Sequence, residues 1–240
     1  MNDVSKRLNQ FEHSITPAIL EREPNRFLEM LALYTTFAPH IHIDVCDGLL
    51  VQTLTAPYTE PGLYAEAAFP GSVLKDIDSE VHLMVQDPHN IGCLFARAGA
   101  HRIVAQWESF RSGEECSEVI ASWESRGASV GLSILIPTDM DSFIAFVARE
   151  KRVSSIQVMS IDPVGMQGRP FDTRAIQRIR TLRQAFPQIE ISVDGSMNAQ
   201  SIPTVLHAGA SRAVVGSAIS KEKDPKQAYE LLCSSVLKIL

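Results

Sequence analysis

The feature that most constrains the fold of this chain is a regular alternation of short apolar runs with longer amphipathic stretches. Eight runs rich in β-branched residues recur, at residues 15–20, 40–45, 81–85, 102–106, 129–135, 155–159, 190–194 and 212–215. Apolar residues at helical spacing occupy most of the intervals, as at residues 141–150 and 173–185. Apolar strands that alternate with helices are typical of a parallel sheet covered on both faces. Eight of them in 240 residues favour an α/β fold that closes as a (β/α)₈ TIM barrel rather than an open doubly wound sheet.

Local signals support this division into elements. Gly99, Gly127 and Gly209 each follow a helical stretch and precede a strand, where glycine can adopt the left-handed conformation that ends a helix. Thr138 and Asp141 have the spacing of a capping box.

A second helix start is marked by Asn198, a favourable N-cap residue for a helix over residues 199–208. Pro203 lies inside that predicted helix, and it is tolerated there only if it belongs to the first turn.

Composition limits the partners and the compartment. A net charge of −6 argues against nucleic acid or an anionic membrane as the main partner, whereas backbone amides can still bind a phosphorylated metabolite. No run reaches the roughly 20 apolar residues that a membrane span requires, and the polar N-terminus is unlike a signal peptide. The scattered spacing of the four cysteines suits a reducing compartment. We therefore expect a soluble, cytoplasmic protein with one domain over residues 1–240, in which residues 1–14 form an N-terminal extension.

Polar side chains that could bind a metal stand near the ends of three predicted strands. A strand period of two places His42 and Asp44 on one face of the second strand, together with Cys46. His82 lies in the third strand and Asp194 ends the seventh. Each motif alone has a plainer explanation, a hydrogen-bonded pair or a simple turn. Four polar groups aimed into one barrel mouth instead favour a divalent-metal site suited to Zn²⁺, Fe²⁺ or Mn²⁺.

The two aspartates indicate proton chemistry. We expect the second and seventh strands to face each other across the barrel, so that Asp44 and Asp194 flank a bound ligand. The metal would polarise a ketone oxygen and stabilise the enediolate that forms when the neighbouring carbon loses its proton. One aspartate would remove that proton and the other would deliver a proton to the opposite face, which inverts one carbon centre.

Six short strings together resemble the ribulose-phosphate 3-epimerase family. They are PAIL at 17–20, HIDVCDG at 42–48, VHLMV at 81–85, MS at 159–160, VDG at 193–195 and GSAI at 216–219. The strings follow the family's order over nearly the whole chain. The resemblance implies a (β/α)₈ fold and an epimerase whose default reaction interconverts D-ribulose 5-phosphate and D-xylulose 5-phosphate.

The resemblance also implies a cofactor and roles for particular residues. One divalent metal ion, Zn²⁺ or alternatively Fe²⁺, Mn²⁺ or Co²⁺, would be bound by His42, Asp44, His82 and Asp194. Asp44 and Asp194 would be the acid/base pair. We further expect a homo-oligomer.

Sulfur-containing side chains cap the site in this family. Met84 and Met159 stand at two of those positions, and Cys46 replaces a methionine at a third. For the two methionines, ordinary core packing is the alternative.

The phosphate of the substrate would be bound by loops after the last three strands, where barrels of this kind often bind phosphate. Backbone amides are offered there by the pairs Gly195-Ser196 and Gly216-Ser217, the second of which precedes a short helix. Gly168 could add another amide, and Arg169 could reach the phosphate. A simple tight turn is the alternative explanation for each glycine.

Several positions depart from the family's pattern. Ala18 replaces a serine that faces the substrate, Gln106 replaces a histidine, and Ile136 stands where asparagine normally precedes proline. Residues 49–53 lack the usual aromatic residue and Pro-Asn pair, and loop 162–170 is longer and poorer in glycine. Because these changes affect substrate contacts and spare the metal ligands, another ketose phosphate such as D-allulose 6-phosphate is an alternative substrate.

Two other functions stay open. The first is a barrel that binds a metal or a sugar phosphate without turnover, which Ala18 and the altered loop favour and the two retained aspartates oppose. The second is a sugar-phosphate decarboxylase or synthase. Enzymes of that kind with an Asp-x-Lys-x-x-Asp strand need its lysine, and residues 43–47 contain none.

Overall fold

Eight parallel strands close into a barrel in the computed structural model, which describes residues 14–65 and 73–237. The barrel strands are β1 Ile15–Ile19, β2 Ile41–Cys46, β3 Ser79–Met84, β4 Arg102–Gln106, β5 Ser129–Ile134, β6 Val153–Met159, β7 Glu190–Asp194 and β8 Arg212–Val215. Each strand pairs with the next along the chain, and β8 pairs with β1. The predicted TIM barrel is confirmed. The predicted N-terminal extension lies outside the described residues except for Ser14, and the single-domain organisation stays a prediction.

Helices surround the barrel and cover the outer faces of its strands. They are α1 Pro24–Tyr34, α2 Pro88–Arg97, α3 Gly113–Glu124, α4 Met140–Arg149, α5 Arg174–Ala185, α6 Ser201–Ala208, α7 Ser217–Ser220 and α8 Pro225–Leu237. A short antiparallel hairpin, Tyr58–Glu60 with Leu63–Tyr64, follows β2. Within residues 14–65 and 73–237, the helices are all too short or too polar to cross a lipid bilayer.

The predicted strands agree with the observed ones to within two residues at each end. The largest differences are at β3 and β6, which begin at Ser79 and Val153 rather than at residues 81 and 155. In β3 the apolar run begins only after Glu80, but Glu80 is buried inside the barrel with a relative exposure of 1%. The strand therefore begins before its apolar run, and the charge of Glu80 is the reason that the sequence did not indicate this earlier start.

The helix ends were predicted with mixed success. Gly99, Gly127 and Gly209 all have positive φ angles, of 96, 92 and 112°, which confirms the left-handed turn after each helix. The capping box was wrong, because Asp139 rather than Thr138 caps α4 and accepts a hydrogen bond from the backbone N–H of Ser142.

The start of α6 lies two residues later than predicted. Asn198 Oδ1 accepts hydrogen bonds from the N–H groups of Gln200 and Ser201, at 2.8 and 3.2 Å, and the helix begins at Ser201. Pro203 consequently falls in the first turn, where its missing N–H costs no intrahelical hydrogen bond.

An ionic network joins the amino-terminal ends of the strands and forms what we call the barrel floor: Glu80, Arg102, Glu190 and Arg212. Glu80 Oε2 accepts hydrogen bonds from Nη1 of Arg102 at 3.2 Å and Nη1 of Arg212 at 3.4 Å. The same arginines donate to the two oxygens of Glu190, at 2.6 and 2.9 Å. Burial disfavours the charge of Glu80, but the neighbouring His40 and the hydrogen bond from His42 outweigh it and lower the pKa of Glu80 well below its usual value.

Replacing Glu80 by leucine should destabilise the protein by about 3–5 kcal/mol. The change leaves Glu190 as the one floor carboxylate that pairs with both Arg102 and Arg212. Chemical denaturation measures the change. The matched control is Glu115→Ala, which removes an exposed pair with Arg111 and should change the free energy of unfolding little. An unchanged denaturation midpoint for Glu80→Leu would mean that the floor contributes no net stability.

Candidate active site

Four side chains from β2, β3 and β7 converge inside the barrel. Nitrogen or oxygen atoms of His42, Asp44, His82 and Asp194 all lie within 4.8 Å of one another. The register of β2 and β3 pairs Asp44 with His82, and Nδ1 of His82 is 3.1 Å from Oδ1 of Asp44 and 3.7 Å from Oδ2 of Asp194. His42 contributes Nε2, which lies 3.1 Å from the same Asp44 oxygen. The structure thus brings together the four side chains predicted as metal ligands, which we call the ligand cluster.

The relation between β2 and β7 differs from the prediction. We expected these strands to face each other across the barrel, but only β1 and β8 separate them on one side, and β6 is the strand opposite β2. The prediction was wrong because it counted strands along the chain without closing the ring between β8 and β1. Asp44 and Asp194 therefore approach the cluster from strands that lie three positions apart in the ring, one position short of directly opposite.

The two aspartates have opposite protonation preferences. Burial, and after it the negative charge of Asp44, raise the pKa of Asp194 to about 7. Burial also disfavours the charge of Asp44, but His42 and His82 outweigh it, so the pKa of Asp44 is lowered below its usual range. Two carboxylates this close cannot both ionise without a nearby positive charge.

The histidines also differ from each other. Burial alone would lower the pKa of His42, but Asp44 and Glu80 raise it to about 10. For His82 burial dominates, and its pKa is lowered. The cluster thus favours a positive charge between Asp44 and His42, where a proton or a metal cation could provide it.

These properties fit a divalent cation. Two imidazole nitrogens and two carboxylate oxygens form a donor set that Zn²⁺, Fe²⁺ and Mn²⁺ accept. A cation among these four atoms would remove the repulsion between Asp44 and Asp194, and it would replace the proton shared by His42 and Asp44.

Residues behind the ligand cluster orient both histidines. Nδ1 of His42 donates to Oε1 of Glu80 at 2.9 Å, which directs Nε2 of the ring toward Asp44. A carboxylate behind a ligating histidine fixes the tautomer and makes the ring a better ligand. On the other ring, Nε2 of His82 lies 3.0 Å from the side-chain amide of Gln106. Glu80 was assigned no role from the sequence. Gln106 was expected to affect a substrate contact and to spare the ligands, and this was wrong, because its side chain contacts the predicted ligand His82.

Gln157 is a further buried residue at the cluster that the sequence did not reveal. Its side-chain nitrogen is 3.1 Å from Nδ1 of His82 and 3.4 Å from Oδ2 of Asp194. Gln157 precedes Met159 by two residues on β6, so the strand alternation that places Met159 inside the barrel places Gln157 there too. That alternation was the available signal.

The predicted sulfur cap forms a separate apolar cluster. Cys46, Met84 and Met159 are all buried and pack with a second set of apolar side chains from the loops after β2 and β6: Val51, Ile161 and Val164. Burial, followed by the charge of Asp44, raises the pKa of the Cys46 thiol well above its usual value. Cys46 is therefore a neutral thiol and an apolar packing group.

A narrow cavity brings the predicted phosphate-binding residues next to the ligand cluster. Gly168, Ser196 and Gly216 line it, together with Asp44 and Asp194. Its volume is 60 Å³. The other residues at its wall include Ala18, Leu20, Met84, Met159, Gly195 and Ser217.

Arg169, in contrast, does not line this cavity. It borders a neighbouring cavity of 410 Å³, and its Nη2 lies 3.7 Å from the sulfur of Met166. The structure therefore does not bring the Arg169 side chain together with the predicted phosphate-binding glycines.

The chain turns sharply after Asp194. Gly195 and Ser196 have φ angles of 115 and 54°, and Ser196 Oγ donates to the backbone oxygen of Arg169. A Cβ atom at position 195 would lie 2.8 Å from the side chain of Ile161, so both the backbone conformation and the space require glycine. This turn fixes the backbone amides that follow Asp194.

Comparison of the sequence with known proteins identifies one family. A sequence model described as the ribulose-phosphate 3 epimerase family matches residues 14–220. The cytoplasmic isoform of ribulose-phosphate 3-epimerase from Oryza sativa subsp. japonica is 28% identical, with 92% of this chain and 93% of that protein aligned. Ribulose-phosphate 3-epimerase from Mycobacterium leprae is 26% identical, over 91% of this chain and 92% of that protein.

Solved structures that resemble the fold are more distant in sequence. 3-Hexulose-6-phosphate synthase from Salmonella typhimurium superposes with a TM-score of 0.65 at 16% identity, over 95% of this chain and 100% of that chain. KGPDC from Streptococcus mutans gives a TM-score of 0.70 at 10% identity, over 95% and 99% of the two chains. At these identities the similarity establishes the barrel fold alone.

The ligand cluster predicts the metal content of the protein. Protein purified without chelator should carry one divalent ion per chain by elemental analysis, and His82→Ala should lose about 90% or more of it, because a lost ligand costs well over 1.4 kcal/mol of binding. His207→Ala, which removes an exposed histidine hydrogen-bonded to the Pro203 carbonyl, is the control and should keep the ion. Equal metal content in all three proteins would contradict the assignment.

Proposed function

Because the chain belongs to the ribulose-phosphate 3-epimerase family, a family of isomerases, we propose that it inverts C3 of a ketose phosphate in a metal-dependent reaction. The observation that supports this function best is the pair of carboxylates, Asp44 buried and Asp194 partly buried, that share one cluster with two imidazoles. The family's own substrate pair, D-ribulose 5-phosphate and D-xylulose 5-phosphate, is the first candidate.

His42, Asp44, His82 and Asp194 would hold the metal ion. When bound, a divalent ion supplies a positive charge that withdraws electrons from the ketone and makes the neighbouring C3–H bond more acidic. Zn²⁺ suits this set of nitrogen and oxygen donors, and Fe²⁺, Mn²⁺ and Co²⁺ are alternatives.

The two aspartates would carry out the proton transfers. One carboxylate accepts the C3 proton, and the electron pair of that bond moves into an enediolate. The other carboxyl group, protonated at the start, donates its proton to the opposite face of C3. Their roles exchange in the reverse reaction. Their origin on different strands gives the two groups different directions of approach to one carbon.

The sulfur cap would protect this chemistry from water. Cys46, Met84 and Met159 have exposures of 2% or less and carry no charge. An apolar cover excludes water from the reacting carbon, which keeps solvent from reprotonating the enediolate on the wrong face.

Main-chain amides would hold the phosphate. The pairs Gly195-Ser196 and Gly216-Ser217, with Gly168, border the same cavity as the two aspartates, so a phosphate there would leave the sugar within reach of the ligand cluster. Backbone N–H groups bind phosphate without basic side chains, which agrees with the absence of Arg169 from the lining of this cavity.

A different ketose phosphate, such as D-allulose 6-phosphate, is the second candidate substrate. Ala18 and Leu20 line the cavity, and Ala18 offers a methyl group where the family pattern has a hydroxyl. The sugar preference is therefore expected to differ at a hydroxyl near Ala18. A barrel that binds the sugar without turnover is the remaining alternative, and proton exchange distinguishes it.

The compartment and the assembly are also proposals. Free thiols at Cys46, Cys93 and Cys116 suit a reducing cytoplasm. The homo-oligomer and the single domain over residues 1–240 rest on the family resemblance and on the chain length.

The proposed function is tested by offering a panel of ketose phosphates to the metal-loaded protein in deuterated water. An epimerase incorporates solvent deuterium at C3 of the sugar that it accepts. NMR measures this incorporation. Two separate bases should label the product first, while recovered substrate initially acquires little deuterium. Complete absence of exchange with every sugar would favour the non-catalytic barrel.

Asp44→Asn and Asp194→Asn should each lower net epimerisation by about 10²-fold or more, the usual contribution of a general acid or base. At least one variant should still exchange the C3 proton of a single epimer without inverting it. Because both residues belong to the ligand cluster, metal content is measured first, and only metal-replete variants are compared. Equal labelling of substrate and product from the first turnover of the parent would exclude two bases.

Gly216→Ala tests the phosphate site. The added methyl group would meet Nε2 of Gln167 at 3.5 Å, an ordinary contact, so the fold should tolerate it. It should raise KM by about tenfold, equivalent to roughly 1.4 kcal/mol of binding, with a smaller effect on kcat. Arg169→Ala is the control and should leave KM nearly unchanged. A large rise in KM for Arg169→Ala with little change for Gly216→Ala would instead assign phosphate binding to the Arg169 side chain.

A further inference from the structure

The two nitrogens of His82 have different surroundings. Nδ1 faces the ligand cluster, 3.1 Å from Oδ1 of Asp44. Nε2 faces the side-chain amide of Gln106, the last residue of the neighbouring strand β4, at 3.0 Å. Both His82 and Gln106 have a relative exposure of 0%, so neither side chain is in contact with bulk water.

A ligating histidine must be neutral, with a lone pair on the nitrogen that meets the metal and a proton on the other nitrogen. If Nδ1 of His82 is the ligand, as the proposed function requires, Nε2 carries the proton. That buried N–H needs an acceptor, because an unsatisfied buried donor costs about 1–3 kcal/mol. The Gln106 side chain is the group positioned to provide one.

The hydrogen bonds of Gln106 indicate how it does so. In the present orientation the amide nitrogen of Gln106 faces Nε2 of His82, and Oε1 of Gln106 is a buried oxygen without a hydrogen-bond partner among the described residues. The oxygen and nitrogen of an amide exchange places when the group turns by 180°. After this turn Oε1 accepts the hydrogen bond from Nε2–H, and the unpartnered oxygen is satisfied.

We propose that Gln106 is a positioning residue that selects the His82 tautomer with its proton on Nε2 and its lone pair on Nδ1. Gln106 does for His82 what Glu80 does for His42, with a neutral amide in place of a carboxylate. The choice of an amide limits the charge in the barrel interior, where Asp44, Asp194 and Glu80 already contribute three carboxylates. This inference rests on the proposed metal-dependent function.

The experiment compares the Zn²⁺ affinity of four purified proteins by competition with a chromophoric chelator. Gln106→Leu keeps the volume but removes the acceptor, and its affinity should fall by about 10–100-fold, the usual effect of losing a partner behind a metal ligand. Gln106→Glu restores an acceptor and should bind within a few-fold of the parent. Ser133→Ala is the matched control, because Ser133 is buried at the register position beside Gln106 on β5; it should bind like the parent.

A second measurement reports the tautomer directly. Long-range ¹H–¹⁵N NMR spectra of histidine-labelled, Zn²⁺-loaded protein should show the His82 proton on Nε2 in the parent and in Gln106→Glu. Thermal melting establishes that each variant is folded. If Gln106→Leu does not fold, Gln106→Glu decides: parent-like affinity with the proton on Nε2 supports the proposal, and a loss greater than tenfold overturns it.

The other outcomes are also decisive. Parent-like affinity of a folded Gln106→Leu would overturn the role of Gln106 and leave the proposed function intact. An equal loss in Gln106→Leu and Ser133→Ala would overturn it as well, because it would reflect a general disturbance of the barrel interior. A parent that binds no divalent ion would overturn the proposed function itself, and this inference with it.

Discussion

The register between β2 and β3 is the constraint on which the site depends. It pairs His42 with Glu80 and Asp44 with His82. Residues that are paired in the register of two parallel strands face the same side of the sheet. The pairing of Asp44 with His82 therefore brings two predicted ligands together, and the pairing of His42 with Glu80 places a carboxylate behind a ligand. A slip of β3 by one residue would turn Glu80 and His82 out of the barrel, toward the helices, and would separate both from their partners on β2. Ring closure then adds Asp194 from β7 to the cluster.

The polar groups inside the barrel form successive levels along its axis. At the floor, Glu80 and Glu190 are paired with two arginines. The ligand cluster lies above them and is joined to the floor through the contact between Glu80 and His42. The apolar cap of Cys46 and the two methionines follows toward the mouth. An unpaired buried charge costs several kcal/mol, so the charged groups of these levels need their partners, and Glu80 is a partner both to the floor arginines and to His42.

The parts of the structure that depend on spacing within one segment were predictable from the sequence. Strict alternation along a strand was enough to assign His42 and Asp44 to the barrel interior. The start of β3 was not predictable, since Glu80 interrupts the apolar run, and its burial depends on arginines from two other strands. The contact of Gln157 with His82 was missed for a similar reason, because it joins β6 to β3 across the barrel interior. Contacts between distant strands leave no periodic trace in either segment.

The shared position of Glu80 has a consequence for how this enzyme family member could be altered. Barrels of this class usually separate their tasks, with stability at the amino-terminal end and function in the loops at the carboxyl end. Here one carboxylate serves both, since it neutralises the floor arginines and orients a ligand of the cluster. Loop exchange at the mouth could therefore change the residues around the proposed substrate while the ligand cluster is inherited unchanged. Substitutions that are meant to stabilise the floor would instead also disturb the ligand cluster, because Glu80 contacts both.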